Sequence, residues 1–418
     1  MKPESQRIGW LRNLPWLRGR ATAESRQRSA LTEVDAALFA MWDLGDNLVL
    51  KWTFVGETLR FCVVRHYAIA EALHAEMQQD WGVDDPATVM NKLLAGPKYL
   101  EVAEFDEVCR LFDTQPRVLR TGVRPGVDVD IDLISELVRR YGVTLVRDRA
   151  VVLFDAVEFS LQPPIEQVAM LNSLSYSVNS GYRQLLSKHI QVNFARTTTG
   201  DGFYIWNRDT GPDANIALYK LMMMVLADNA MAQRKARAPW VPRLRAAFHV
   251  GEHYEFHQVE GLNPTTFSYI VGQVTVDLAR MISRALPGQI LLGDFSFPDT
   301  RNPRLPARYD TDDFVDKTAV AVEQLKGLDV SGGRIETIRC YLTGESLGGG
   351  RYMVNRYHIR DKHGTSRTVY NAKINIHRER ADPIYLGVHR DDLWAFSATK
   401  VEQLTRDTEA TGSFFIRP

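Results

Sequence analysis

Four consecutive apolar residues, Val151-Val152-Leu153-Phe154, constrain this chain more than any other segment. A strand with one solvated face alternates apolar and polar residues. A continuous run of strand formers demands burial on both faces, so this strand belongs inside a sheet covered by helices. The flanking sequence agrees. Pro163-Pro164 suits the first turn of a helix, and Ile165, Val168, Leu171, Leu174 and Val178 then fall on one helical face. Gln191–Arg196 and Phe203–Trp206 read as a hairpin closed by Thr-Thr-Thr-Gly-Asp-Gly. Ile216–Met231 is an apolar helix whose Met222-Met223-Met224 run fills a core. Arg245–Val250 is a strand, Val274–Ala285 a helix closed by Pro287-Gly288, and Gln289–Leu292 a strand. Strands alternating with helices over residues 145–345 predict one α/β domain with a central sheet flanked by helices.

The two ends read differently. Residues 1–140 are expected to be a helical accessory or regulatory region. Residues 31–115 read mostly as helix, 117–130 as a Pro/Gly-bearing connector, and Leu133–Arg140 as a helix capped by Asp130 or Asp132 and stopped at Gly142. The first 28 residues form a basic arm carrying Arg7, Arg12, Arg18, Arg20, Arg26 and Arg28, with Trp10 and Trp16 between them. Residues 346–418 are expected to be a small β-rich module. Tyr352, Val354, Tyr357 and Ile359 alternate into a turn at Asp361–Gly364, and Thr368 to Ile376 alternate back.

Composition narrows the class. Lys+Arg and Asp+Glu both number 51, so no bulk field draws the chain to nucleic acid or an anionic surface. The longest apolar stretch, Leu221–Ala227, is seven residues, against roughly 20 for a bilayer-crossing helix, so no stable membrane insertion is expected. Cys62, Cys109 and Cys340 are odd in number and far apart. They suggest neither a disulfide framework nor a zinc site, and a reducing cytoplasm is the expected home.

Two carboxylates carry the chemical signal. Asp155 ends the buried strand, and Asp201 stands between two glycines at a hairpin tip. Each alone has an ordinary explanation, as a helix cap or a turn residue. Their order and spacing resemble the class III nucleotide cyclases. The first motif stands here as Phe154-Asp155-Ala-Val-Glu-Phe159-Ser160 and the second as Gly200-Asp201. Three further segments are similar in order: Arg245–Gly251, Gly272 to Arg280 followed by Pro287-Gly288-Gln289-Ile290, and Leu325-Lys326-Gly327. The resemblance implies two divalent ions, Mg²⁺ or Mn²⁺, held by Asp155, Asp201 and a backbone carbonyl at Ala156 or Val157. It implies phosphate-facing amides in a helix after Ser160, Arg280 at the α-phosphate, and Lys326 at the triphosphate. It also implies a homodimer with composite sites and a nucleoside triphosphate substrate.

The chain departs from that family where the base is chosen. The two base-selecting positions are Thr197 and Tyr269, which match neither the Lys/Asp pair of adenylate-specific members nor the Glu/Cys pair of guanylate-specific ones. A hydroxyl and a phenol suit a smaller pyrimidine. The family's Asn four residues before the helix Arg is replaced by Val276, flanked by Thr275 and Asp277. The stretch Tyr357 to Asn371 resembles the tail of pyrimidine cyclases from bacterial antiphage systems. That points to UTP as substrate and to a product acting on a separate effector. Cyclases for CTP, ATP or GTP, and a degenerate nucleotide-binding module, remain the alternatives.

Overall fold

The computed structural model describes residues 23–76, 86–237, 240–259, 266–298, 308–348, 351–360, 365–389, 404–406 and 414–416. It divides into two units, Met1–Arg147 with His253–Val271, and Asp148–Glu252 with Gly272–Pro418. Most of the basic arm and the turn at Asp361–Gly364 lie outside the described residues.

In the first unit, α1 (Ala23–Trp42) leads into a hairpin of β1 (Asn47–Val55) and β2 (Thr58–Arg65). Then come α2 (Ala68–Glu76), α3 (Pro86–Ala95), α4 (Val102–Leu111), β3 (Arg117–Arg120), which pairs with β2, and α5 (Ile131–Arg140). Asp130 caps α5, accepting from the Asp132 amide at 2.9 Å. The helical reading of 31–115 therefore missed β1 and β2, and the connector reading of 117–130 missed β3, the third strand of their antiparallel sheet. The reason is two-sided burial. Val49, Trp52 and Phe61 pack with Leu38 and Trp42 of α1 and Leu137 of α5, while Leu48, Leu50 and Cys62 pack with Met90, Phe105 and Cys109. A strand covered on both faces loses the alternation that marks a strand. Lys51 sits in that strand with its ammonium on the Pro97 carbonyl at 2.5 Å, and burial pulls it down to about 8.

The next strand, β4 (Thr144–Ala156), begins in the first unit and continues in the second. After it come α6 (Pro164–Ser187), β5 (Phe194–Thr198), β6 (Gly202–Asn207), α7 (Pro212–Lys235) and β7 (Leu244–Val259). The outer half of β7 and its partner β8 (Thr266–Val271) belong to the first unit. The second unit resumes with α8 (Gln273–Arg284), β9 (Ile290–Gly293), β10 (Ser296–Pro298), β11 (Arg308–Asp310), α9 (Thr311–Ala321), β12 (Asp329–Val330) and β13 (Gly333–Leu342). It ends with β14 (Gly344–Gly348), β15 (Arg351–Val354), β16 (Arg356–Arg360), β17 (Ser366–Arg378), β18 (Ala381–Leu386), β19 (Leu404–Arg406) and β20 (Phe414–Ile416).

The predicted α/β architecture is present, with a mixed sheet ordered β12-β13-β17-β9-β7-β4-β6-β5. The last eight residues of β4 are all buried, as the apolar run requires. Gly181 of α6 lets α7 approach closely, since a Cβ there would stand 3.1 Å from the Val225 amide and 3.2 Å from Met224 Cβ. The three methionines are fully buried core residues. On α6 the core face begins at Met170 and runs through Leu174, Val178 and Leu185, while Ile165 and Val168 stay exposed.

The boundary expected at 346 is revised. β17 pairs antiparallel with β13 on one side and with β9 on the other, so it is an interior strand of the central sheet. Its alternation is real on the described strands, with Arg356 opposite Tyr370, but the hairpin has no sheet of its own.

Candidate active site

Asp155 is the penultimate residue of β4, 7% exposed, and its register partner on β6 is Gly202. That glycine is required by space rather than by backbone angle. A Cβ there would lie 1.9 Å from the Phe154 carbonyl oxygen. Gly200 serves differently, turning the hairpin with φ +99° and open space around it. Between them Asp201 is fixed through its backbone, whose carbonyl accepts from the Ala156 amide at 3.0 Å. Thr199 closes the tip, its amide donating to Gly202 O at 3.0 Å and its hydroxyl to Asp201 Oδ1 at 3.2 Å. The two candidate carboxylates are thus brought together at one end of adjacent strands.

Their charges interact. Burial pushes the Asp155 carboxyl up, and the neighbouring Asp201 carboxylate adds to that rise, while Arg245 opposes it. Arg245, at the start of β7, donates from Nε to Asp155 Oδ2 at 2.6 Å and from Nη1 to the Ala285 carbonyl at 3.2 Å. Among the described residues no group of three or more His, Cys, Asp or Glu gathers as a metal cage. The oxygen pair still fits Mg²⁺ or Mn²⁺. These hard ions are commonly held by one or two carboxylates with substrate phosphates completing the shell, and a cation relieves the repulsion between Asp155 and Asp201.

The helix expected after Ser160 starts where Pro163-Pro164 predicts, preceded by a short turn. A one-turn 3-10 segment, Phe159–Leu161, follows Glu158 at φ +57°, and α6 begins at Pro164. The amides of Ala156 and Val157 are already bonded, to Asp201 O and Arg243 O.

Arg280 lies in α8, partly buried, with Val276 exposed one turn before it. Thr275, beside the position of the missing Asn, closes its hydroxyl onto Gly272 O at 2.8 Å, and its carbonyl accepts from Tyr204 Oη at 3.0 Å. Asp277 on its other side is committed elsewhere. It accepts from Arg367 Nε at 2.5 Å and Gln273 Nε2 at 2.8 Å, and it faces His249 at 3.7 Å. Lys326 pairs with Glu323 in its own turn and is about half exposed. Thr197 lies partly buried on β5, opposite Tyr204. Tyr269 lies on β8 and stacks on Phe256, with ring centroids 5.8 Å apart. Thr197 belongs to the second unit and Tyr269 to the first.

His249 yields a pH prediction. Burial lowers it from 6.5 to about 4, against the pull of Asp277. The folded value lies below the unfolded one, so the neutral ring's stability is whole above pH 6.5 and is lost as pH falls toward 4. The slope is about 1.4 kcal/mol per pH unit in that window, roughly 3 kcal/mol in all. Urea melts from pH 7 to pH 4 should show this loss, and His249→Gln should flatten it. An unchanged slope in the variant removes His249 as its source.

Reading the sequence alone passed over Arg245 and Arg367 as site residues. Each meets its aspartate across 90 residues of chain, so no local spacing announces the pair.

No family model and no curated protein matches the chain. Solved structures do. The guanylyl cyclase Cya2 matches at 12% identity, with 55% of this chain and 92% of that one covered and a TM-score of 0.30. The adenylyl cyclase CyaB from P. aeruginosa matches at 12%, with 57% and 98% covered and a TM-score of 0.31. The guanylate cyclase domain of RhGC from Catenaria anguillulae, in complex with GTP, matches at 11%, with 57% and 100% covered and a TM-score of 0.33. Likeness at that level bears on neither substrate nor chemistry, so the assignment below rests on side chains. No helix among the described residues is long and apolar enough to cross a membrane.

Proposed function

We propose that the chain is a metal-dependent nucleotidyl cyclase converting UTP to 3′,5′-cyclic UMP and pyrophosphate. The observation that carries this reading is the Asp155–Asp201 pair, held on adjacent strands by a glycine that nothing larger can replace. In the reaction the ribose 3′ oxygen loses its proton and bonds to the α-phosphorus, and the α–β bridging P–O bond breaks to release pyrophosphate. Two divalent ions, Mg²⁺ or Mn²⁺, would lower the nucleophile's pKa and neutralise the leaving charge. Asp155 and Asp201 would hold them, with a backbone carbonyl at Ala156. Arg280 presents a guanidinium that matches the α-phosphate oxygens as charge builds. Lys326, once released from Glu323, offers its ammonium to the triphosphate. Thr197 and Tyr269, on the resemblance, are the two residues that would each read the base. On this reading the product is a second messenger in antiphage signalling, acting on a separate effector.

Purified chain with Mn²⁺ should convert UTP faster than CTP, ATP or GTP, read as cyclic product by mass spectrometry. No cyclic product from any of the four defeats the proposal. Fastest formation of cyclic AMP leaves a cyclase but defeats the base assignment.

Three variants refine it. Shape alone discriminates substrates by roughly 10–200-fold, so Tyr269→Ala should bring purine use within about tenfold of UTP while UTP turnover changes less. Unchanged selectivity removes Tyr269 from the pocket. In a homodimer with composite sites, Asp201→Asn and Arg280→Ala should each be inactive. Mixed and exchanged, they should recover activity in one site of each heterodimer. Proven heterodimers without activity mean that each chain builds its own site.

A further inference from the structure

The candidate metal pair already has a cation on it. Arg245 Nε stands 2.6 Å from Asp155 Oδ2, with the arginine side chain 26% exposed and the aspartate 10%. An ion pair so sheltered is screened little by solvent or salt. A divalent ion on the same carboxylate would meet the guanidinium at close range, where like charges in a half-buried site repel strongly. Both cannot hold Oδ2 together. The geometry also provides for the arginine's release. Its Nη1 is bonded to the carbonyl of Ala285, the residue that ends α8, where the helix dipole favours positive charge. A guanidinium that gives up Asp155 keeps that second anchor and needs no new burial.

We propose that Arg245 is a resident counter-cation of Asp155 and that a divalent ion enters the site by displacing it. The proposal rests on the metal reading of Asp155 and Asp201 and adds how that site is kept when no metal is present. Arg245 compensates a buried carboxylate that stands beside a second one, and so steadies the end of β4. The same contact weakens binding of metal alone. Without nucleotide the site is therefore biased toward the arginine, and phosphates that bring further metal ligands shift the balance. Ala285 links this exchange to the last turn of the helix carrying Arg280, so the two halves of the site on this chain share one side chain.

The test measures Mn²⁺ alone on the full chain, without nucleotide, by the loss of the free-ion electron paramagnetic resonance signal. Arg245→Gln should bind Mn²⁺ at least about tenfold more tightly than the unaltered chain, about 1.4 kcal/mol. Its melting temperature without metal should be lower, and saturating Mn²⁺ should raise it by more than in the unaltered chain. Arg245→Lys keeps the charge but not the two-point hold, and should fall between the two. If Arg245→Gln does not fold, the lysine variant carries the comparison, and binding no tighter than in the unaltered chain overturns the proposal. Equal or weaker binding by a folded Arg245→Gln overturns it too. Asp155→Asn should abolish the gain in the Arg245→Gln background. If Asp155→Asn and Asp201→Asn both bind Mn²⁺ as the unaltered chain does, the metal reading itself has failed, whatever Arg245 does.

Discussion

Asp155→Asn and Asp201→Asn should each lower cyclase turnover by at least about 10³-fold, because losing one charged ligand of a two-metal site forfeits around 4 kcal/mol of transition-state stabilisation. Their effects on the fold should part company. Asp155 is the buried partner of Arg245, so its replacement leaves a quarter-exposed guanidinium with only neutral acceptors, the Ala285 carbonyl and the variant amide. That costs about 1 kcal/mol, since water reaches the arginine and the variant amide still accepts a bond. Asp201 is the charge that helps push Asp155 up, so Asp201→Asn removes a repulsion and should hold stability within about 0.5 kcal/mol. Turnover of the four triphosphates beside urea melts checks both statements. Turnover within tenfold of the unaltered chain, in either variant, removes that carboxylate from the metal site.

Gly202→Ala should be the most damaging single methyl group at this site. Its Cβ would sit 1.9 Å from Phe154 O, 2.9 Å from Phe154 C and 3.1 Å from Asp155 Cα. All three are backbone atoms in the middle of a sheet, so no side chain can swing aside. β6 must move away from β4, and Asp201 must move with it. Overpacking of this kind costs about 1–3 kcal/mol or more. A displacement near 1 Å between reacting groups costs about 10²-fold in rate. Gly200→Ala is the control. It meets no atom within 4 Å and is strained only by φ +99°, which puts its cost at roughly 1–2 kcal/mol without pushing the strands apart. Equal loss of turnover in the two variants would mean that the turn conformation, and not the strand contact, sets the carboxylate pair.

Much of the fold could be read from residue order. Val151–Phe154 announced a strand buried on both faces, Pro163-Pro164 a helix start, and the Thr-Gly-Asp-Gly tip a hairpin. These signals are local, arising from turn sterics, proline geometry and apolar runs within a few residues. The same physics concealed β1 and β2. Asn47–Val55 is buried on both faces too, but it lies among helix-forming segments and has no proline or hairpin glycine signature as strong as that of Asp201. The place of β17 was equally hidden. Its alternation marked a strand, while its insertion between β13 and β9 depends on pairing with partners up to 82 residues away.

The candidate site divides along the same line. Asp155 and Asp201 could be named from sequence because each sits in a short motif whose turn chemistry is local. Only the tertiary structure decided that a glycine with no room for a Cβ holds them together, and that Arg245 already lies on one of them. It alone decided that Arg367 of β17 occupies Asp277 beside the helix arginine. Charge pairs across 90 residues of chain leave no periodicity, because what joins them is the closing of a sheet and not the spacing of a segment.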